Sequence, residues 1–152
     1  MNVEFINPFI TAACDVFRTM LDCELARGPL ALQCEHTAFY ELSGLIGLSG
    51  RCRGMVVLSL GRQTAINAAE VLLGHRPDDV DGDVIDAIGE LANMIAGAAK
   101  TRLEQEKLTI GLPTVICGKT QMIAFPSRVR PILIPFESKL GPICVQVGLA
   151  EA

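Results

Sequence analysis

The chain has 152 residues, half of them hydrophobic, and a formal net charge of −4 from 13 basic and 17 acidic side chains. This length predicts one domain over residues 1–152 with a sizeable core, and the apolar composition indicates that some apolar surface is buried against a partner. The sequence has no run of five Lys or Arg, no apolar span of ~18 residues and no basic signal-peptide start, which argues against nucleic acid and membranes and predicts a cytoplasmic location.

The first predicted element is an amphipathic helix from Asn7-Pro8 to about residue 22. Asn is a common N-cap, and Pro is favoured at the first helical position. Apolar residues then recur at helical spacing, namely Phe9, Ala13, Val16, Phe17, Met20 and Leu21. Gly28-Pro29 then breaks the chain, so the helix and the next element are separate.

Short strands are predicted next, over residues 30–35, 39–50 and 52–60. Ser49-Gly50, between the second and third of them, predicts a hairpin turn. A second helix follows from residue 62, and Gly74 is the residue predicted to end it.

The longest predicted helix runs from about residue 82 to 106, after an acidic loop whose Asp residues suit the positive end of the helix dipole. Four more strands follow, over residues 113–118, 121–125, 128–138 and 142–150. Pro131 and Pro135 indicate that one of them is an edge or bulged strand. This order predicts an α+β fold with helices packed on a mainly antiparallel sheet.

The cysteines and histidines form no metal-binding pattern. Cysteines stand at positions 14, 23, 34, 52, 117 and 144, and histidines at positions 36 and 75. Without a CxxC pair or a useful ligand spacing, a metal site in this chain is not expected. We interpret the cysteines as reduced packing residues, and a reactive thiol stays open as the alternative.

A polar stripe lies on the long helix, opposite its predicted core face. Asp86, Glu90, Asn93 and Gly97 follow one another at spacings of four, three and four, which keeps them on one side of a helix. The Cβ atoms of Glu90 and Asn93 are therefore expected roughly 5–6 Å apart. The predicted core face carries Val84, Ile88, Leu91, Ile95, Ala98, Arg102 and Leu103.

The simplest interpretation of this stripe is a solvated surface. Glu90 is a good helix former, and an acid such as Asp86 is favoured near a helix start, where we interpret it mainly as a cap. A flank of small residues, Gly89, Ala92, Ala96 and Ala99, is predicted to pack against a neighbouring helix.

Two residues argue for a functional site instead. Asn93 competes for backbone hydrogen bonds in the middle of a helix. Gly97 costs about 1 kcal/mol relative to Ala in a helix interior. Because this glycine is predicted to be exposed, its cost is explained if another surface must come close to Asn93.

The segment DAIGELANMIAG resembles the phosphatase signature of the CheC/CheX/FliY chemotaxis family. That signature is an Asp or Ser, three residues, a Glu, two residues, an Asn and a later Pro. Asp86, Glu90 and Asn93 match it. Pro113 stands slightly earlier than the signature places its Pro, which indicates a shortened connection after the helix.

The resemblance extends over nearly the whole chain. It includes INPFITAACDVFRTML, GLIGLSGRCRGMVVLSL, TAINAAEVLLG and the closing ILIPFESKLGPICVQVGLA. The first helical region lacks a second motif, because Glu24 is followed three residues later by Arg27. The single signature is similar to that of CheX and unlike the two-site arrangement of CheC.

The resemblance implies a phosphatase that acts on a response regulator such as phosphorylated CheY. Asn93 would position the attacking water, and Glu90 would pair with the active-site Lys of the regulator. The regulator would supply Mg²⁺, so no cofactor is expected in this chain. A homodimer is also implied. Asp86, Gly97, Lys100 and Pro113 are the further candidates for the partner interface.

Two alternatives belong to other functional classes. One is a non-catalytic binding or scaffold module of the same fold, as in the related flagellar switch proteins. The intact Glu90 and Asn93 favour the phosphatase, whereas the early Pro113 leaves room for the scaffold. The other is a small-molecule hydrolase, for which no Ser-His-Asp or Cys-His set is apparent.

Overall fold

The computed structural model describes residues 3–32, 40–118, 123–125 and 129–152. Within them lie the helices α1 (Val3–Leu21), α2 (Arg62–Leu73) and α3 (Gly82–Arg102), and a short 3-10 helix, Glu104–Glu106. The strands are β1 (Ala26–Arg27), β2 (Ala31–Leu32), β3 (Leu42–Ser49), β4 (Cys52–Leu60), β5 (Thr109–Ile110), β6 (Thr114–Cys117), β7 (Ile132–Glu137) and β8 (Ile143–Glu151). His36 and Cys34 lie outside the described residues.

The strands form one antiparallel sheet in the order β1-β7-β8-β4-β3-β5, with β2 also paired to β7 and β6 also paired to β3. The β3–β4 hairpin pairs Leu42 with Leu60 and Leu48 with Gly54. Its turn contains Gly50 at a φ of 149°, and the nearby Lys107 carbonyl leaves no space for a side chain there. The predicted α+β fold and the hairpin turn are therefore confirmed.

The core lies between the helices and one face of the sheet. Alternate residues of β8 are buried in it, because successive side chains of a strand point to opposite faces. The largest fully buried side chains include Phe9, Phe17, Phe136, Ile46, Leu58, Ile88, Leu91 and Ile95. No helix of the described residues is both long and apolar enough to cross a membrane.

The start of α1 differs from the prediction. The helix begins at Val3, so Pro8 lies inside it and does not mark its first turn. Pro8 has no N–H for an intrahelical hydrogen bond, which normally disfavours this position. The extra turn places Ile6 in the core at 4% exposure and packs Phe5 against it, and this burial favours the longer helix.

The ends of α2 and α3 show what local sequence can and cannot predict. Gly74 ends α2 in the left-handed conformation at φ 79°, as predicted. The third helix ends at Arg102, earlier than the predicted residue 106, and the 3-10 helix follows it.

At the N-terminal end of α3, the Asp81 side chain accepts a hydrogen bond from Val84 N at 3.0 Å. Asp81 is therefore the N-cap, and the capping role expected for Asp86 is wrong.

The link between β6 and β7 corrects the strand predicted over residues 121–125. Residues 121 and 122 lie outside the described residues, and 123–125 form no strand. Phe125 and Val129 pack so closely over Gly148 of β8 that a Cβ there would clash with both. Because Val147 and Leu149, on either side of Gly148, face the core, Phe125 and Val129 lie on the outer face of the sheet, outside the hydrogen-bonded ladder.

Pro135 lies where β7 needs no N–H donor. On one side, β7 pairs with β8 along its length. On the other side it pairs only with the two-residue strands β1 and β2, and Pro135 falls between them. Its carbonyl accepts a hydrogen bond from Gly28 N at 2.8 Å. Strand β7 is thus second from the edge of the sheet, and a proline is tolerated in it because the pairing on its outer side is interrupted.

The strand predicted over 30–35 is limited to Ala31–Leu32, with 33–35 outside the described residues.

Small residues bring α3 close to the sheet. A Cβ built on Gly44 of β3 would lie 3.0 Å from Ala92 Cβ and 3.4 Å from the Ile88 carbonyl oxygen. A Cβ built on Gly89 would lie 3.4 Å from Val115 Cγ2 of β6. Gly89 and Ala92 therefore pack against strands, and the neighbouring helix predicted for them is wrong at these two positions.

Candidate functional site

The polar stripe predicted from the sequence lies on the outer side of α3. Asp86, Glu90 and Lys100 are exposed, whereas Asn93 and Gly97 are half-buried. The opposite side of the helix is buried, and its N-terminus is capped by Asp81. The stripe is therefore carried by a helix whose position is set by its own core contacts.

Two grooves flank the stripe. The first, which we call the acidic groove, has a volume of about 390 Å³ and is lined by Ile85, Asp86, Gly89, Glu90, Pro113 and Val115. The second, which we call the apolar groove, has a volume of about 380 Å³ and runs between α1 and α3. It is lined by Asp15, Val16, Thr19, Met20, Asn93, Met94, Gly97, Ala98 and Ile110. Glu90 and Asn93 therefore border different grooves.

The structure brings Pro113 to the stripe despite the short connection after α3. Its Cβ lies 3.6 Å from the position that a Cβ on Gly89 would occupy. The chain is held just before this point, because Gly111 N donates a hydrogen bond to the Gly47 carbonyl at 2.9 Å. Pro113 thus shares the acidic groove with Asp86 and Glu90.

Gly97 is open to its surroundings. A Cβ built on it meets no atom within 4 Å, so packing within this chain does not require a glycine. Its carbonyl accepts a hydrogen bond from the Thr101 hydroxyl at 3.2 Å. Lys100 is exposed and lines neither groove, so the structure does not bring it together with Glu90 or Asn93.

The charges of the two grooves differ. Within the described part of the chain, no ion pair engages Asp86 or Glu90, so both carboxylates are available to a cation from outside. Asp15, at the rim of the apolar groove, is instead paired with Arg18 and with Arg102, whose Nη2 lies 2.8 Å from its carboxylate. The acidic groove therefore suits a cationic side chain, and the apolar groove suits an uncharged one.

Two exposed apolar side chains, Met20 in the apolar groove and Leu112 in the link before Pro113, received no functional role in the sequence analysis. Met20 belongs to the apolar repeat predicted for α1, and it is 38% exposed. Leu112, which no sequence pattern singled out, is 91% exposed in the link that carries Pro113. The periodicity of α1 and α3 cannot show that Met20 and Met94 border the same groove, because that depends on how the two helices pack.

The described cysteines are free thiols, namely Cys14, Cys23, Cys52, Cys117 and Cys144. Burial, a hydrogen bond from its thiol to Glu106 at 3.2 Å and the charge of nearby carboxylates raise the pKa of Cys52 to about 11. Burial also raises the pKa of Cys144 to about 11 and, with the nearby Asp15, that of Cys14. These three thiols are protonated at neutral pH, which favours a packing role.

No three His, Cys, Asp or Glu side chains in the described ranges lie close enough together to hold a metal ion. The site therefore consists of a carboxylate pair, an amide and two grooves of unlike chemistry.

Comparisons with known proteins agree on one family. The model of a family described as chemotaxis phosphatase CheX matches residues 42–137. The CheY-P phosphatase CheX of Thermotoga maritima is 27% identical over 122 residues, which cover 78% of this chain and 79% of that protein.

Two solved structures cover nearly the whole chain. A CheC-like superfamily protein from Shewanella sp. PV-4 superposes with a TM-score of 0.89 at 33% identity, covering 99% of each chain. The CheX of the CheX-CheY-BeF3-Mg²⁺ complex from Borrelia burgdorferi superposes with a TM-score of 0.84 at 26% identity, covering 99% of this chain and 100% of that one.

Proposed function

The chain belongs to the family of chemotaxis phosphatases described as CheX, and from this we propose that it hydrolyses the aspartyl phosphate of a CheY-like response-regulator receiver. The observation that carries the proposal is the position of Glu90 and Asn93 on the outer side of α3, between the two grooves. The Thermotoga maritima relative is a CheY-P phosphatase, and the Borrelia burgdorferi relative forms a complex with CheY; both support a receiver as the substrate.

Asn93 orients the attacking water. Its carbonyl accepts a hydrogen bond from the water, and its NH₂ group remains a donor. The amide carries no charge, so the phosphoryl oxygens do not repel it as they would a carboxylate. The water forms a new P–O bond while the P–O bond to the receiver's Asp breaks, which releases inorganic phosphate and a carboxylate. Positioning of this kind resembles the Gln that orients water in GTPases.

Glu90 docks the helix on the receiver by pairing with its active-site Lys. The carboxylate borders the acidic groove and has no ion pair in the described part of this chain. An ion pair of this kind gains strength when the interface excludes water. The receiver supplies Mg²⁺, so this chain contributes only the amide and the carboxylate to the reaction. Asp86 and Pro113 extend the same contact surface.

The position of Pro113 in the structure no longer favours a non-catalytic scaffold. The early position of Pro113 in the sequence had raised doubt about the site, yet Pro113 packs beside Gly89 in the acidic groove. We also propose a single domain over residues 1–152, supported by relatives that match over 99% of this chain. A homodimer remains a prediction for sedimentation analysis.

The proposal is tested by the lifetime of a phosphorylated receiver. CheY-like receivers from the same cell are phosphorylated with a small-molecule donor, and the decay of the phosphoryl group is followed with and without the wild-type protein. Faster decay of at least one receiver supports the phosphatase. Tight binding to the BeF₃⁻-loaded receiver without any change in its phosphoryl lifetime would favour the scaffold instead.

Replacement of Gly97 by Ala is expected to stabilise the free protein and weaken the complex. Ala raises the free energy of unfolding by up to about 1 kcal/mol in a helix interior, and the open space around Gly97 accommodates the methyl group. If the receiver comes close to α3 at this point, the same methyl group obstructs it. Denaturant unfolding and receiver affinity are measured on the same variant.

The matched control for this prediction is Gly82→Ala. Gly82 is the exposed first residue of α3, and a Cβ built there also meets no atom within 4 Å. We expect this control to leave the receiver affinity unchanged. If the Gly97→Ala variant binds the receiver as tightly as the Gly82→Ala variant does, Gly97 is not a clearance position.

A further inference from the structure

We propose that an apolar shelf beside Asn93, formed by Met20, Met94, Ile110 and Leu112, docks an apolar side chain of the receiver and thereby sets the orientation of the complex. This inference rests on the proposed function and adds a second contact surface to it. It assigns a role to residues outside the sequence signature, and Leu112 is the one with the largest exposed fraction.

Three of the four shelf residues come together in the apolar groove, and the fourth follows closely in the chain. Met20 from α1, Met94 from α3 and Ile110 from β5 line the same groove. Leu112 follows Ile110 by two residues, so their backbones are at most about 7 Å apart. An isolated exposed apolar residue is ordinary at a protein surface. Here Met20, at 38% exposure, lines the apolar groove itself, and Leu112, at 91% exposure, stands two residues after Ile110 of the same groove.

The backbone that carries Leu112 is held in place on both sides. Ile110 pairs with Leu48 in the sheet, and Gly111 N donates to the Gly47 carbonyl at 2.9 Å. Pro113, on the other side, packs beside Gly89 of α3. A segment whose backbone is already fixed loses less conformational entropy when a partner binds it.

The receiver is the occupant that fits this shelf, because the shelf adjoins the proposed catalytic position. Asn93 and Gly97 line the same groove as Met20 and Met94. A partner that brings its phosphorylated Asp to Asn93 must therefore cover part of the groove. Methionine side chains adapt to the shape of a partner surface.

The charges of the two grooves determine the orientation. Asp15, the carboxylate of the apolar groove, is already paired with Arg18 and Arg102, so an apolar side chain is accepted there at low electrostatic cost. Asp86 and Glu90 line the acidic groove on the other side of α3. A receiver that is rotated end for end would place a cation against the apolar shelf and an apolar side chain against the carboxylates.

The test compares two Leu→Ser variants. Leu112→Ser removes the exposed side chain of the shelf, and Leu32→Ser removes a 52% exposed leucine from β2, at the opposite edge of the sheet. Affinity is measured with the receiver loaded with BeF₃⁻ and Mg²⁺, and kcat and KM with the phosphorylated receiver. We expect Leu112→Ser to raise Kd and KM about tenfold, with little change in kcat, since a buried leucine supports an effect of this size.

Each outcome decides between interpretations. If Leu112→Ser and Leu32→Ser have the same Kd as the wild type, the shelf is not a receiver surface. If Leu112→Ser dissociates a homodimer and leaves receiver affinity unchanged, a second copy of this chain is the occupant and the inference is wrong. If the wild type binds the receiver without shortening its phosphoryl lifetime, the catalytic proposal fails, and a Kd effect confined to Leu112→Ser still supports the shelf. If the wild type does neither, both proposals fail together.

Discussion

The Asn93→Ala variant is expected to lose at least about a hundredfold of the acceleration of receiver dephosphorylation, which corresponds to about 2.7 kcal/mol of transition-state stabilisation. The variant retains Glu90 and every other residue that lines the two grooves, so its affinity for the receiver should remain close to that of the wild type. The reason is that the hydrogen bond from the water to the amide stabilises the transition state of hydrolysis and contributes little to the affinity of the complex. Phosphoryl decay gives the rate, and binding to the BeF₃⁻-loaded receiver gives the affinity.

Two further variants make this prediction specific. Asn93→Asp keeps the shape of the side chain and adds a negative charge, so we expect it to be about as inactive as Asn93→Ala, because the phosphoryl oxygens repel it. Gln63→Ala removes an exposed amide from α2, outside both grooves, and should leave the rate unchanged. Full activity in either Asn93 variant would show that this residue does not position the water.

The Glu90→Ala variant is expected to bind the receiver at least about tenfold more weakly, a loss of about 1.4 kcal/mol or more. Its carboxylate is the group in the acidic groove closest along α3 to Asn93, and the loss of its ion pair with the receiver's Lys weakens the docked state. We expect the effect to appear mainly in Kd and KM. The variant should also show an association rate that depends less on salt concentration, because the long-range attraction between this carboxylate and the receiver's Lys is the part that ions screen.

A double-mutant cycle tests the partner of Glu90. The receiver's active-site Lys is replaced by Ala, and binding is measured for all four combinations with the BeF₃⁻-loaded receiver. If the two residues pair, the loss caused by Glu90→Ala is much smaller with the altered receiver. Glu104→Ala removes the same charge from an exposed position in the 3-10 helix, and it should have no comparable effect. Additive losses in the cycle would show that Glu90 contacts another group.

Local patterns in the sequence determined the elements that carry the site. The spacing of Asp86, Glu90 and Asn93 places them on one side of any helix, because the helical period is set by the backbone itself. The predicted β4 boundaries match the observed strand, Cys52–Leu60, and Gly74 ends α2 where it was predicted to. In each case the signal lies within a few residues of the feature that it predicts.

Long-range packing decided the features that the sequence analysis missed or mistook. Burial of Ile6 moved the start of α1 to Val3, and Phe125 packs on the outer sheet face over Gly148 where a strand had been predicted. A lone proline in a sequence does not show which helical residue it will lie against, and Pro113 lies beside Gly89 only because the preceding chain pairs with β3.

The sequence by itself therefore determined which chemical groups share a face of α3, since that depends on the geometry of one helix. The tertiary structure alone decided what surrounds them. The acidic groove depends on the position of β6 beside α3, and the apolar groove depends on the packing of α1 and β5 against the same helix. The physical reason is that a groove is formed by residues distant in the chain, and its shape follows from how whole elements pack together.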